Sequence, residues 1–185
     1  MPRITVKDKI IRTAGKLFYE QGYNLTGIDE VIGKADIARG SLYYHFDSKT
    51  DLLLAWMDVY QQDWYTGVET LLKSIPDPKK KLLAIFDYRI ARQEQNGFSG
   101  CFFIKVNDEA GKTDPRILEK IRQNKEGLKT YIRALVAKTS HSKLLTNEDL
   151  TDLIYFMLEG GITSTSIYKD SGELKKAKKV VAKLL

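Results

Sequence analysis

The chain has 185 residues, 43% of them hydrophobic and 29% charged, with a net charge of +6. That length buries a core without disulfides or metal, and the balance excludes a disordered, collagenous or fibrous chain. No apolar run approaches the ~18 residues of a membrane span. The first ten residues also lack the apolar centre of a secretion signal, so a cytoplasmic protein with no membrane partner is expected. One cysteine and two histidines leave no internal disulfide and too few ligands for a typical zinc site; no metal and no cofactor is expected. The first 50 residues carry eight basic and six acidic side chains, so charge alone argues only weakly for an anionic partner.

Helix periodicity dominates. Ile10, Ala14, Leu17 and Phe18 share one face, which predicts a helix over 5–21 ending before Gly22. Thr26 reads as an N-cap with Asp29 three residues on, opening a helix to Ala35. A third short helix is predicted over 37–44. Ser48 and Asp51 repeat the cap pattern and open a long helix over 49–73, stopped by Pro76 and Pro78. The next runs to about 94, where Asn96, Gly97 and Gly100 break it. A short helix near 101–109 follows, then one from Pro115 to about 138. After a polar connection over 139–147, Asn147 is expected to cap a helix to 169. The last helix covers 173–185; its lysines, Lys175, Lys176, Lys178, Lys179 and Lys183, read as a solvated face. No segment alternates with period two, so the fold class expected is all-α, with about nine helices.

The helices at 26–35 and 37–44 are joined by almost nothing, with Gly33 and Asp36 at the joint. Asp tolerates the left-handed backbone that a tight turn needs. Such a pair forms a helix-turn-helix, whose second helix fits the DNA major groove. In that helix Ile37, Leu42 and Phe46 are spaced to bury. Ala38, Arg39, Gly40, Ser41, Tyr43 and Tyr44 face out. Two adjacent exposed tyrosines suit hydroxyl-to-phosphate bonds and ring contacts with sugar or a thymine methyl. The competing account is a plain helical hairpin with surface tyrosines.

The stretch Ile10 to Leu54 resembles the DNA-binding domain of TetR-family transcriptional regulators. The matching pieces are A-x-x-L-F (Ala14 to Phe18), G-Y-x-x-T (Gly22 to Thr26) and G-S-L-Y-Y-H-F-x-S-K (Gly40 to Lys49). The resemblance implies a helix-turn-helix domain over 1–50 and a helical ligand-binding and dimerisation domain over 51–185. It also implies a homodimer on a palindromic double-stranded operator, acting as a repressor released by a small molecule. By position, Thr26 and Lys49 would hold phosphates, and Arg39, Gly40, Ser41, Tyr43, Tyr44 and His45 would lie at the groove. Asp36 stands where the family commonly has Gly, and Ala38 where a small hydroxyl residue is common; the latter removes a cap or a phosphate contact.

In the second part, F-S-G-C (Phe98 to Cys101), D-P-x-I-L (Asp114 to Leu118) and M-L-E-G-G (Met157 to Gly161) resemble a TetR subgroup that represses drug-resistance and detoxification genes. Aromatics gather in the middle helices, and Trp56, Tyr60, Trp64, Tyr88, Phe98 and Phe102 are the expected lining of a pocket for an apolar or aromatic effector; plain core is the alternative. Ile121, Leu128 and Ile132, with Leu153, Met157, Gly161 and Ser164, are the expected dimer contacts of a four-helix interface; packing inside the monomer is the alternative. Cys101, at a helix N-terminus where the dipole favours a thiolate, offers an oxidant- or electrophile-sensing repressor as a second reading. No catalytic motif is present, which leaves an enzyme or simple binding module as the distant alternative.

Overall fold

The computed structural model describes residues 5–141 and 144–185. Ser142 and Lys143, in the polar connection expected over 139–147, lie outside the described residues. Among the described residues there are nine helices and no strand: α1 Val6–Glu20, α2 Ile28–Ala35, α3 Arg39–His45, α4 Lys49–Leu72, α5 Pro78–Gln95, α6 Phe102–Ala110, α7 Pro115–Val136, α8 Asn147–Tyr168 and α9 Gly172–Leu184. None is long and apolar enough to cross a membrane.

Local chemistry sets the helix starts. Thr5 and Asp8 close a capping box ahead of α1, and Thr146 and Asp149 do the same ahead of α8, satisfying amides that would otherwise be orphaned. The cap of α8 is therefore Thr146, one residue before the Asn147 expected. Asp77 accepts from the Lys79 amide with Pro78 in the first turn of α5. Ser48 accepts from the Asp51 amide at 3.1 Å, opening α4 as the sequence indicates.

The chain divides into two compact units. The first holds residues 5–63 together with 102–122; the second holds 64–101 and 123–185. This differs from the boundary expected between residues 50 and 51. Leu52, Leu53 and Met57 of α4 are buried, and Phe102 and Phe103 of α6 pack on Tyr60 of that same helix. Apolar contact, rather than sequence order, therefore assigns α6 and the start of α7 to the N-terminal unit.

In the first unit α1 buries Ile10, Ala14 and Phe18 and packs on α2 and α3. Gly15 is required by close approach: the Trp56 ring occupies the space a β-carbon would take. In the second unit α5, α8 and α9 pack together around Phe86, Leu128, Ile132, Leu150, Ile154 and Leu174. The loop after α5 passes through positive φ at Gly97, Phe98 and Gly100. Buried Gln93 secures it, accepting from the Gly100 amide and donating to its carbonyl, each at 3.0 Å.

Candidate functional site

The turn between α2 and α3 is made by Asp36, which adopts the left-handed conformation at φ 47° and ψ 62°. Its amide hydrogen bonds back to the end of α2. Helix α3 begins after Ala38, which supplies no side-chain cap, as the missing hydroxyl implies. Leu42 and Phe46 are buried and anchor the inner face, with Ile37 half-buried. The outer face carries Arg39, Gly40, Tyr43 and Tyr44, all exposed, with Ser41 and His45 half-buried at its margins. Tyr44 is 84% exposed. A ring so placed costs apolar hydration, although its edge meets the ring of neighbouring His45 at 4.9 Å. A β-carbon on Gly40 would meet nothing within 4 Å, so this glycine keeps the surface of α3 low without serving any internal contact.

Two expected phosphate ligands sit differently. Thr26 is 1% exposed, and its hydroxyl donates to the Gly22 carbonyl at 2.7 Å. The N-cap of α2 is Gly27, with no side-chain bond. Thr26 is therefore not the N-cap of α2; it braces the turn after α1. Lys49 lies over the Tyr23 ring at 4.3 Å and its ammonium is 3.4 Å from the Asn24 carbonyl. Burial holds its pKa below the ordinary lysine value, against the opposing pull of Glu109. Arg39, the expected base-reading side chain, forms an ion pair with Asp29 of α2.

The same unit contains a clasp that spacing did not reveal. Glu109, near the end of α6, accepts from the Asn24 amide at 2.8 Å, and the Asn24 side chain donates to the Glu109 carbonyl at 3.2 Å. Gly22, at φ 97°, leaves room for that carboxylate; a β-carbon there would come within 2.8 Å of it. Arg116 at the start of α7 pairs with Asp114 and with Asp51, both at 2.7 Å. Contacts joining residues 85 and 65 positions apart leave no local signature.

The six expected pocket residues separate into two groups. Trp56, Tyr60 and Phe102 lie in the first unit with Tyr19, in ring contacts of 5.1–6.5 Å. Phe102 is 1% exposed, so it serves as core. Trp64 and Tyr88 lie in the second unit, edge to face at 6.2 Å. Phe98 occupies the positive-φ loop. An open groove of about 450 Å³ in the second unit is lined instead by Thr66, Glu69 and Lys73 of α4, Lys81 of α5, and Tyr131 and Leu135 of α7. Beside it the rings of Tyr131 and Tyr65 meet at 6.0 Å, and those of Tyr65 and Trp64 at 4.8 Å. Arg89 lies 4.5 Å from the Trp64 ring centroid. Burial, then Tyr131 and Glu69 against the pull of Arg89, keeps the Tyr65 phenol protonated to above its ordinary range.

The expected dimer contacts also divide. Ile121, Leu128 and Ile132 are buried within the chain. Gly161 faces inward, where a β-carbon would come 2.7 Å from Leu174. Those four positions are spent on internal packing, because the faces of α7 and α8 that carry them are turned inward. Leu153, Met157 and Ser164 are only half-buried, and Phe156, Gly160 and Ile167 beside them on α8 are exposed. Cys101 is half-buried immediately before α6. The Lys125 ammonium lies 3.4 Å from its sulfur and is paired with Glu159. Burial works against the charge on Lys125, but Cys101 and Glu159 more than offset it and raise its pKa.

A short helix with an exposed aromatic outer face, set by a tight turn on a three-helix frame, defines a helix-turn-helix DNA-binding regulator. Residues 10–56 match the model for bacterial regulatory proteins of the tetR family, and residues 78–181 match the tetracyclin repressor-like C-terminal domain. The chain belongs to the TetR family of transcriptional regulators.

Among its relatives is the biofilm operon icaADBC negative transcriptional regulator IcaR of Staphylococcus aureus, 28% identical over 180 residues, 94% of this chain and 91% of that protein. The transcriptional activator FasR of Mycolicibacterium smegmatis is 24% identical over 76% of this chain, a match spanning 63% of FasR. The S. aureus regulator QacR is 36% identical over 61 residues, 33% of this chain and 32% of QacR. The fold is shared with reduced NemR of E. coli, with a TM-score of 0.82 at 18% identity over 97% of both chains. It is also shared with a TetR regulator of Chloroflexus aurantiacus, at 0.81 and 23% over 96% of this chain and 92% of that one.

Proposed function

We propose that this chain represses transcription by binding a palindromic operator as a homodimer, and that a small apolar or aromatic effector releases it. The observation that carries the DNA contact is the outer face of α3, where Gly40, Tyr43 and Tyr44 are exposed and a β-carbon on Gly40 would meet open space. Tyrosine hydroxyls and Arg39 then meet phosphates and base edges. The negative sign of regulation rests on the IcaR relative, which matches over 94% of the chain; FasR, an activator, is the contrary precedent.

The dimer is supported by α8. Leu153, Phe156, Met157, Gly160, Ser164 and Ile167 recur every three or four residues on its outer side, with Phe156 64% and Ile167 69% exposed. An apolar stripe with a small-residue notch suits a second copy of the same helix across a two-fold axis. Two recognition helices must then sit about 34–36 Å apart to enter successive major grooves. Release needs only a shift of that spacing. Helix α4 is suited to transmit one, since the Ser48–Asp51 cap and Lys49 stand at its start and Trp56 and Tyr60 lie further along it.

Selection of an operator from a random duplex pool, followed by gel shift, tests the reading. Recovery of a two-fold symmetric site, lost on Tyr43→Ala with Tyr44→Ala while helicity is retained, is the expected result. Failure to enrich any duplex would overturn it.

A second reading is favoured by one contact, that of Lys125 with the Cys101 sulfur at 3.4 Å. A half-buried thiol beside an ammonium is a candidate target for modification, so oxidants or electrophiles become candidate signals. Cys101→Ser should then keep operator binding and abolish its release by peroxide. Unaltered release in that variant would remove this reading.

A further inference from the structure

We infer that the second unit holds a recognition site for a carboxylate joined to a flat apolar body, with Arg89 taking the carboxylate and Trp64 and Tyr65 the body beside it. This rests on the effector reading above and is independent of how α3 meets DNA.

Arg89 is half-buried on α5, and its guanidinium lies 4.5 Å from the centroid of the Trp64 ring. Its Nε is buried without an acceptor. Among the described residues it has neither a carboxylate partner nor a hydrogen bond. Several cations of the same unit are matched, Lys125 with Glu159, Lys129 with Asp152, Arg133 with Glu148 and Lys178 with Asp87, while Lys73 and Lys81 stand at the groove. Arg89 departs from the rule that a partly buried charge is paired.

A second donor shares the defect. Trp64 is 4% exposed and its indole Nε1 is also buried without an acceptor. Each buried donor left unmade costs the desolvation of that group. The guanidinium lies over the ring face, and its fork of donors calls for an acceptor with more than one lone pair. A carboxylate supplies it, and the planar fork of arginine matches carboxylate geometry through two parallel bonds. A cation is excluded by the guanidinium itself, and a neutral ligand leaves its charge unmatched.

The apolar part of the ligand follows from the rings. Tyr65 meets Trp64 at 81°, and Tyr131 meets Tyr65 at 64°, so aromatic edges and faces continue from Arg89 toward the groove that Tyr131 lines. That groove, lined by Glu69, Lys73, Lys81 and Tyr131 rather than by Arg89, Trp64 or Tyr65, is at about 450 Å³ of the size to take the outer part of a small molecule. Tyr65 stands where Gly127 of α7 leaves room, since a β-carbon there would come 2.8 Å from its hydroxyl.

The test uses the full chain with naphthoate and its neutral amide as probes, read by tryptophan fluorescence and calorimetry. Naphthoate is expected to bind and the amide to bind at least about tenfold more weakly. Arg89→Gln should weaken naphthoate by at least about tenfold and leave the amide unchanged. Arg89→Lys, which keeps the charge and the stem but not the fork, should fall between. Melting curves of both variants check the fold. Equal affinity for acid and amide, an unaltered naphthoate affinity in folded Arg89→Gln, or no naphthoate binding at millimolar concentration would each overturn the site. Gel shift on the selected operator separates the two readings. Naphthoate that binds through Arg89 but leaves the operator complex intact supports the site and counts against the effector role.

Discussion

Arg39 and Asp29 form an ion pair across the turn of the helix-turn-helix, so the guanidinium on the outer face of α3 is already held by the helix behind it. Both side chains are well exposed, 61% for Arg39 and 76% for Asp29. Such a pair contributes little to stability, about 0–1 kcal/mol. Its weight falls on recognition, since Asp29 offsets charge where DNA phosphates would approach.

Asp29→Asn is therefore expected to change the melting temperature by little and to tighten binding to all duplexes. The gain should be larger in low salt, because one repelling carboxylate is removed from the phosphate face. Operator titrations at two salt concentrations, beside a melting curve, check it. Weaker binding would show that Asp29 instead orients Arg39 for a base contact.

Gly40→Ala should separate folding from recognition. The added methyl meets open space and replaces a glycine near the start of a helix, a change that favours folding by up to about 1 kcal/mol. Operator affinity should fall, because the methyl stands where the groove must close on α3. A variant that melts higher and binds DNA as well as the parent would remove Gly40 from the interface.

The α8 glycines should act in opposite ways. Gly161→Leu drives a side chain into Leu174 and should destabilise the fold by about 1–3 kcal/mol or more. Gly160→Leu enters open space, and Phe156→Glu places a charge on the exposed stripe. Both should leave helicity intact and yield monomers in sedimentation, and a folded Phe156→Glu that stays dimeric would move the interface elsewhere.

Acid should weaken the first unit through Asp51. The Ser48 hydroxyl, and then Arg116, hold its carboxyl below the ordinary aspartate value of 3.8. A folded pKa below the unfolded one gives stability that is present above 3.8 and lost as pH falls through the lower, folded value. Asp8, Asp114 and Asp149 are lowered by the same kind of hydrogen bond, so the acid limb of the melting curve is shared. Asp51→Asn should flatten part of that limb, visible in melts taken between pH 5 and acid, and an unchanged acid limb would refute the assignment.

Local patterns carried most of this fold. Periodicity located all nine helices, because apolar residues at helical spacing report burial wherever one face is wet. The left-handed Asp36 was legible for the same reason, since it depends on its immediate neighbours, whereas the uncapped Ala38 was legible through the family resemblance. Thr26 misled because its hydroxyl had two short-range uses, as a cap or as a brace on the Gly22 carbonyl, and sequence could not rank them. Gly160 and Gly161 are indistinguishable by composition; a rotation of about 100° along the helix sends one to solvent and the other to Leu174. Arg89 and Glu109 went unread because what marks them is non-local: an acceptor missing from one, and an amide 85 positions away for the other.

The N-terminal unit is not closed until the chain returns to it at residue 102. As synthesis proceeds at about 5–20 residues per second, α1, α2 and α3 are made before α6. Tyr19, Trp56 and Tyr60 then await Phe102 for a few seconds while residues 64–101 are made. Through that interval the nascent recognition domain presents an uncovered aromatic face, a natural landing place for chaperones. The same dependence forbids a simple excision: a fragment ending at residue 63 should be prone to aggregate, whereas one given α6 in trans regains Phe102 and Phe103.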